Sequence, residues 1–236
     1  MNKNVKTKSV FIFLLIVQKS NKIIMKTHTI AVIGGTGKSG RYLVDSLLNK
    51  KYSIKLLARN PENLNIRNSL VEIIKGDARN ECDIAHLIKD CNVVLSTLGQ
   101  PRGESSIFSE ATQNVIKAME YYQIKRYIVT TGLSVNTFLD QKSDRVKMAT
   151  DWMYKNYPET TMDKQKEYEL LLKSSLDWTL VRLPLIHETI ERFSMEENVR
   201  DCVGESISAT DLAEFLVSQI EDQRFRKQSP FLYNIL

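Results

Sequence analysis

Thr29-Ile30-Ala31-Val32-Ile33-Gly34-Gly35-Thr36-Gly37-Lys38-Ser39-Gly40-Arg41-Tyr42-Leu43-Val44 is the stretch on which the fold turns. A short apolar run leads into a glycine-rich turn, and an amphipathic helical pattern follows at once as far as Leu48. Strand, glycine turn and helix in that order make a nucleotide-binding βα unit. Gly34 lets the chain turn sharply off the strand, Gly37 lets backbone approach a diphosphate, and Gly40 lets the helix pack closely. The helix then offers its unpaired amides and the positive end of its dipole to phosphates. A Walker A loop is excluded, because Lys38-Ser39 precedes the last glycine of this G-x-x-G-x-x-G run and does not follow it. A purely structural βα turn is the competing reading. The agreement of strand, turn and helix favours a dinucleotide.

Outward from this unit the chain keeps alternating. Strands are expected at Ser53–Ala58, Val71–Lys75, Asn92–Thr97, Lys125–Thr130, Asp177–Arg182 and Phe231–Asn234. Helices are expected at Asp83–Cys91, Phe108–Tyr122, Lys164–Lys173 and from the capping box Ser208-Ala209-Thr210-Asp211 through Ile220. The pattern predicts an α/β fold: a doubly wound parallel sheet of Rossmann type covered on both faces. It is read as one domain over residues 25–236, with a small C-terminal substrate-side portion. Residues 136–160 lack strand character and read as a helix and loop over the cleft, either a lid or a plain surface excursion.

Position along this fold assigns further roles. About twenty residues past the glycine turn, where NAD-preferring sites usually carry Asp or Glu, stands Arg59, with Lys38 as a second cation. A guanidinium pairs well with a 2′-phosphate, so NADP(H) is expected over NAD(H); a solvated surface arginine is the alternative. Asp77, after the third strand, either accepts from an adenine amino group or caps the next turn. Leu98 to Gly103 opens from the fourth strand into the ligand crevice, and the hydroxyls around Thr130, Thr131 and Ser134 end the fifth strand toward the nicotinamide and substrate.

Of the 236 residues, 42% are hydrophobic, enough for a sizeable core. The formal charge of +5 sits in the first 24 residues, which hold five lysines and no acidic residue, so the body carries no global case for nucleic acid. That leader pairs lysines with the apolar run Val10–Val17, too short to span a bilayer and followed by no small-residue cleavage site. With Met25 just ahead of the first strand, an upstream start-site artefact or loose extension is favoured over a working signal. Cys82, Cys91 and Cys202 lack metal-ligand spacing and the three histidines are scattered, so no metal site is expected. Reduced cysteines suit a cytoplasmic location without stable membrane insertion.

Taken together, Ile33–Gly40, Leu57-Ala58-Arg59-Asn60-Pro61, Gly76-Asp77, Leu176–Pro184 and Ile207–Ala213 resemble the atypical short-chain dehydrogenase/reductases of the NAD(P)H-binding, NmrA-like and flavin/biliverdin-reductase-like group. The resemblance covers roughly Lys26 to Asn234 and implies NADP(H) across the carboxyl edge of a Rossmann sheet. It implies Gly34, Thr36, Gly37, Lys38, Ser39 and Gly40 at the diphosphate, Arg59 at the 2′-phosphate and Asp77 and Ala78 at the adenine. Thr97, Leu98 and Gly99 would hold the nicotinamide ribose, and Thr130, Thr131, Lys164 and Arg182 would position nicotinamide or acceptor.

One departure matters. Active short-chain dehydrogenases use a Tyr-x-x-x-Lys pair in which the phenol exchanges a proton while hydride moves. Here Lys164 stands near the lysine position and Thr160, far too weak an acid, where the tyrosine would be. Tyr121 and Lys125 have the spacing but straddle a helix and the start of a strand, at the wrong end of the sheet. Tyr154, Tyr157 and Tyr168 are wrongly spaced. The expectation is a reductase of small flavin- or quinone-like acceptors, which need little enzymatic acid. The alternatives are a non-catalytic NmrA-like sensor of NADP(H) that reports to a protein partner, and an NAD-dependent epimerase or dehydratase.

Overall fold

The computed structural model describes residues 28–235; the leader and the reading of its start site lie outside them. Strand β1 (Thr29–Ile33) is buried from its second residue onward and pairs in parallel on both sides, with β2 (Ser53–Ala58) and β4 (Val93–Ser96). Beyond them come β3 (Val71–Lys75) on one side and β5 (Arg126–Gly132), β6 (Asp177–Leu183), β10 (Phe231–Ile235) and β8 (Ser194–Asn198) on the other. The order β3-β2-β1-β4-β5-β6-β10-β8 reverses direction between β1 and β4, and that reversal opens a crevice at the strands' carboxyl ends.

Period-two alternation divides the side chains between two cores. Ala31, Ile33, Val94, Tyr127, Val129, Trp178 and Leu180 face helices α2 (Glu81–Ile88), α3 (Phe108–Tyr121) and α5 (Pro158–Lys173). Ile30, Val32, Leu95, Ile128 and Val181 face α1 (Gly40–Asn49) and α6 (Ala209–Ser218). Burial on both faces is why these strands read as apolar runs.

Two features depart from the sequence reading. The sheet is not wholly parallel, because β8 runs antiparallel along the outer edge of β10. Its sequence, Ser-Met-Glu-Glu-Asn, has no apolar run, so only pairing to β10 makes it a strand. Residues 185–208 also supply a two-stranded parallel sheet, β7 (Leu185–His187) with β9 (Ser206–Ser208), each too short to carry a periodic signal. The expected cap on α6 is present, Ser208 Oγ accepting from Asp211 N at 3.0 Å. The return bond of a capping box is not made. Asp211 Oδ2 instead accepts from Phe193 N and Asn234 Nδ2, and Asn234 Oδ1 takes Ser208 N.

Residues 136–160 contain helix α4 (Asp144–Asn156) and are not built as a lid. Lys142, buried, donates to Val135 O and Asn136 Oδ1, Ser143 N donates to Asp201, and Gln165 bonds both the amide and the carbonyl of Asn136. The surface-excursion reading is the one that fits. Among the described residues no helix is long and apolar enough to cross a membrane.

Candidate functional site

The crevice at the switch point is a cleft of about 570 Å³. Its floor is the glycine turn, where Gly34 sits at φ +78°, a conformation that a side chain resists. A Cβ there would also stand 2.7 Å from Leu98 N and from the Thr97 carbonyl, so the glycine lets the β4 loop cross directly over the turn. At Gly40 a Cβ would overlap the Gly34 carbonyl oxygen and stand 2.6 Å from Gly35 Cα. The tight packing expected of Gly40 is therefore against the turn itself. Helix α1 begins at this corner without a side-chain cap; Arg41 N donates to the Gly37 carbonyl at 3.2 Å and Leu43 N to that of Ser39 at 3.3 Å.

Around the floor the structure gathers Gly34, Thr36, Gly37, Lys38 and Ser39 with Arg59, Asp77, Ala78, Thr97, Leu98 and Gly99. Several of these carry local partners. Lys38, though largely exposed, pairs with Glu188 at 3.2 Å, and Arg41 reaches the same carboxylate at 2.5 Å, which ties the glycine turn to the C-terminal lobe. Asp77 Oδ1 accepts from Arg79 N at 2.9 Å, so the turn-forming role is realised, while α2 itself is capped by Asn80. Arg59 donates to Glu104 at 2.8 Å. The Thr97 hydroxyl is buried with no partner among the described residues.

Deeper along the carboxyl edge lies a second group. Lys164, on α5, extends over the Phe108 ring at 4.7 Å and ends beside Gly132, where a Cβ would stand 3.5 Å from its Nζ. Burial lowers its pKa against the opposing pull of Glu167. Glu167, three residues on and almost fully buried, accepts from Thr112 Oγ1 at 2.7 Å, and Thr112 lies 3.2 Å from the Tyr127 hydroxyl. Burial pushes the Glu167 carboxyl up to about 8, opposed by the Thr112 bond and the Lys164 charge. The preceding Asp163 is spent on structure. It caps α3, accepting from the amides of Phe108 (2.8 Å) and Ser109 (3.2 Å) and from the hydroxyls of Ser106 and Ser109. Burial raises the Asp163 pKa, but these four bonds outweigh it and hold the carboxylate below its usual range.

Three expected site residues are placed otherwise. Arg182 is fully buried and cannot touch a cofactor: it bonds Asp140 (2.6 Å), Val135 O, Ser229 O and Val199 O, and stacks on Phe231. It shares the α5-side face of β6 with Leu180, and residues 133–142 close over it. Thr130 lies on the opposite face of β5 from Lys164, its hydroxyl turned to Ser96 O at 3.4 Å. Thr131 is buried, its hydroxyl without a partner among the described residues, and does not line the cleft. Sequence reasoning missed Glu104, Glu188 and Glu167. The first two lie in loops with no motif. Glu167 had one available signal, a carboxylate one turn beyond Lys164 on the same helix face.

The tyrosines do not complete a proton-transfer pair. Thr160 precedes Lys164 by one turn of α5, Tyr121 is 80% exposed at the end of α3, and Lys125 precedes β5 at the amino end of the sheet. Tyr168 is buried edge-on against Trp178. Among the described residues no cluster of His, Cys, Asp or Glu is placed to hold a metal.

A family model described as NAD(P)H-binding matches residues 34–223, from the glycine turn to beyond α6. The chain belongs to the NAD(P)H-binding family. Curated relatives include an isoflavone reductase homolog A622-like protein of Nicotiana tabacum, 29% identical over 116 residues, 45% of this chain and 36% of that one. Another is the mitochondrial NADH-ubiquinone oxidoreductase 40 kDa subunit of Neurospora crassa, 25% identical over 146 residues, 57% of this chain and 39% of that one. The chain thus spans well under half the length of these relatives. Among solved structures, a short-chain dehydrogenase/reductase from Veillonella parvula in complex with NADP superposes with TM-score 0.73 at 18% identity, covering 88% of this chain and 94% of that one. ChuY, described as an anaerobillin reductase from Escherichia coli O157:H7, superposes with TM-score 0.65 at 18% identity, covering 87% and 97%. At such identities both speak for the Rossmann-type fold that this NAD(P)H-binding chain shares.

Proposed function

We propose that the protein is an NADP(H)-dependent reductase of flavin- or quinone-like acceptors that works without a tyrosine proton donor. The observation carrying this reading is Thr160, which stands one turn before Lys164 where a phenol would have to be. The two buried phenols nearby are engaged elsewhere, Tyr127 beside Thr112 and Tyr168 against Trp178.

The residues present fit the dinucleotide. Gly34, Gly37, Ser39 at the uncapped start of α1 and Thr97 with its unpartnered hydroxyl all line one cleft, and Gly40 packs directly behind Gly34. When bound, the nicotinamide supplies a hydride. Amides of the glycine turn and the start of α1 would hold the diphosphate, Arg59 the 2′-phosphate, Asp77 and Ala78 the adenine, and Thr97 to Gly99 the nicotinamide ribose. Lys164, reaching from α5 to Gly132 at the end of β5, would orient the nicotinamide end or the acceptor. A conjugated acceptor reduced by that hydride would draw its proton from water, so no side chain would have to donate one.

The test is oxidation of NADPH with FMN, riboflavin or menadione, set against a simple aromatic aldehyde. Turnover is expected with the conjugated acceptors and not with the aldehyde, and Thr160→Val should leave the rate within about twofold. No turnover with any acceptor overturns the reading. A second reading, a redox sensor that reports to a protein partner, draws on the exposed apolar side chains Met148 and Trp152 of α4 with Tyr157 and Met162 nearby. It predicts tight dinucleotide binding with no turnover and a partner whose affinity changes with the coenzyme.

A further inference from the structure

At the adenosine end of the cleft one carboxylate bridges two guanidinium groups. Glu104 Oε1 accepts from Arg59 Nη1 at 2.8 Å, and its Oε2 accepts from Arg79 Nη1 at 3.0 Å. Arg79 is anchored further by Ser105 O at 2.7 Å and by Glu110 at 3.6 Å, and is the more buried of the two arginines. Glu104 belongs to the loop after β4. Gln100 folds that loop over itself, its amide donating to the carbonyls of Pro101, Glu104 and Ser105. Gln100 and Pro101 line the same cleft as Arg59.

A carboxylate with one oxygen on each of two guanidiniums has the geometry by which two oxygens of a phosphate would be held. We propose that Glu104 competes with the 2′-phosphate of the dinucleotide for the slot between Arg59 and Arg79, making Arg79 the second phosphate-binding residue and Glu104 a determinant of coenzyme affinity. The inference rests on the NADP(H) reading given above. A phosphate monoester carries about −1.5 to −2 charges against the single charge of a carboxylate, so it can displace Glu104 from both arginines. A 2′-hydroxyl cannot. The exchange frees the Glu104 side chain and loosens the 99–105 loop, so the loop registers which coenzyme is bound.

The experiment is calorimetric titration of the full chain with NADP+, NAD+, 2′,5′-ADP and ADP. Glu104→Gln should tighten NADP+ and 2′,5′-ADP by about three- to tenfold and leave NAD+ and ADP within twofold, the scale of a partly exposed ion pair. Arg79→Met should weaken 2′,5′-ADP about tenfold and leave ADP unchanged. In the wild type, hydrogen exchange in residues 99–105 should rise with 2′,5′-ADP and not with ADP. A Glu104→Gln variant that weakens NADP+ overturns the proposal, because Glu104 would then be ordering the arginines. One that weakens NAD+ overturns it too, because Glu104 would then be accepting the ribose hydroxyl. Arg59→Ala separates the two layers. If the wild type does not prefer NADP+ and Arg59→Ala moves neither coenzyme, the NADP(H) reading fails and the clamp with it. If NADP+ is preferred through Arg59 while Glu104→Gln changes nothing, the clamp alone is overturned.

Discussion

Glu167→Gln should change how the stability of the protein responds to pH. The carboxyl is 2% exposed, its Oε2 has no partner among the described residues, and burial lifts its pKa from 4.5 to about 8. The groups around it are Lys164 and Asp163 on α5, Thr112 from α3 and Tyr127 from β5. Between pH 4.5 and about 8 the folded protein holds a proton that the unfolded chain has released. Stability from this site is therefore fully present below pH 4.5 and is lost as pH rises through about 8. Linkage sets a ceiling of roughly 4 kcal/mol lost between pH 5 and pH 8.5. Glutamine keeps an acceptor for Thr112 and removes the titration. It also removes the charge that opposes Lys164, but only near and above pH 8, where the carboxyl is ionised, and that loss works against the difference. Urea denaturation at pH 5, 7 and 8.5 measures it. Wild type should lose about 2–4 kcal/mol relative to the variant across that range. Repeating the exchange in a Lys164→Met background isolates the carboxyl. Parallel pH profiles, within about 0.5 kcal/mol, would refute the reasoning.

Two further predictions address the packing of the cleft and the misassigned arginine. Gly40→Ala drives a methyl into the Gly34 carbonyl and should cost about 1–3 kcal/mol in thermal or chemical denaturation, with dinucleotide affinity falling more than about tenfold by calorimetry. A variant with wild-type stability and affinity would contradict the geometry. Arg182→Met leaves Asp140 short of its nearest cation and should destabilise by about 3 kcal/mol, while the affinity of the folded fraction for dinucleotide stays within twofold. A selective loss of affinity at unchanged stability would return Arg182 to the cofactor site.

The way the assignments divided follows from the range of the interactions behind them. The position of the glycine turn, Arg59 and Asp77 at the cleft was legible because each sits at a fixed offset from a strand end, and a parallel strand buried on both faces announces itself as an apolar run. The same rule misled at Arg182. Its place near a strand's carboxyl end suggested the cleft, but the alternation of β6 turns the side chain to the α5 face, where Asp140 and three carbonyls from distant segments enclose it. Thr130 and Thr131 illustrate the same point, as adjacent residues facing opposite sides of one sheet. Strand β8 was invisible because Glu196 and Glu197 carry no strand pattern and its amides are satisfied by a partner some 35 residues away.

Local sequence by itself determined the βα unit, the succession of elements, the Rossmann-type sheet and the missing phenol before Lys164, because these depend on periodicity, backbone freedom and spacing within one or two elements. Only the tertiary structure decided that Glu104 spans Arg59 and Arg79, that Glu188 reaches back to the glycine turn, and that Glu167 is sealed beneath Lys164. Each of those contacts joins residues whose separation along the chain says nothing about their distance in space, and the energy of a buried charge is set by what surrounds it.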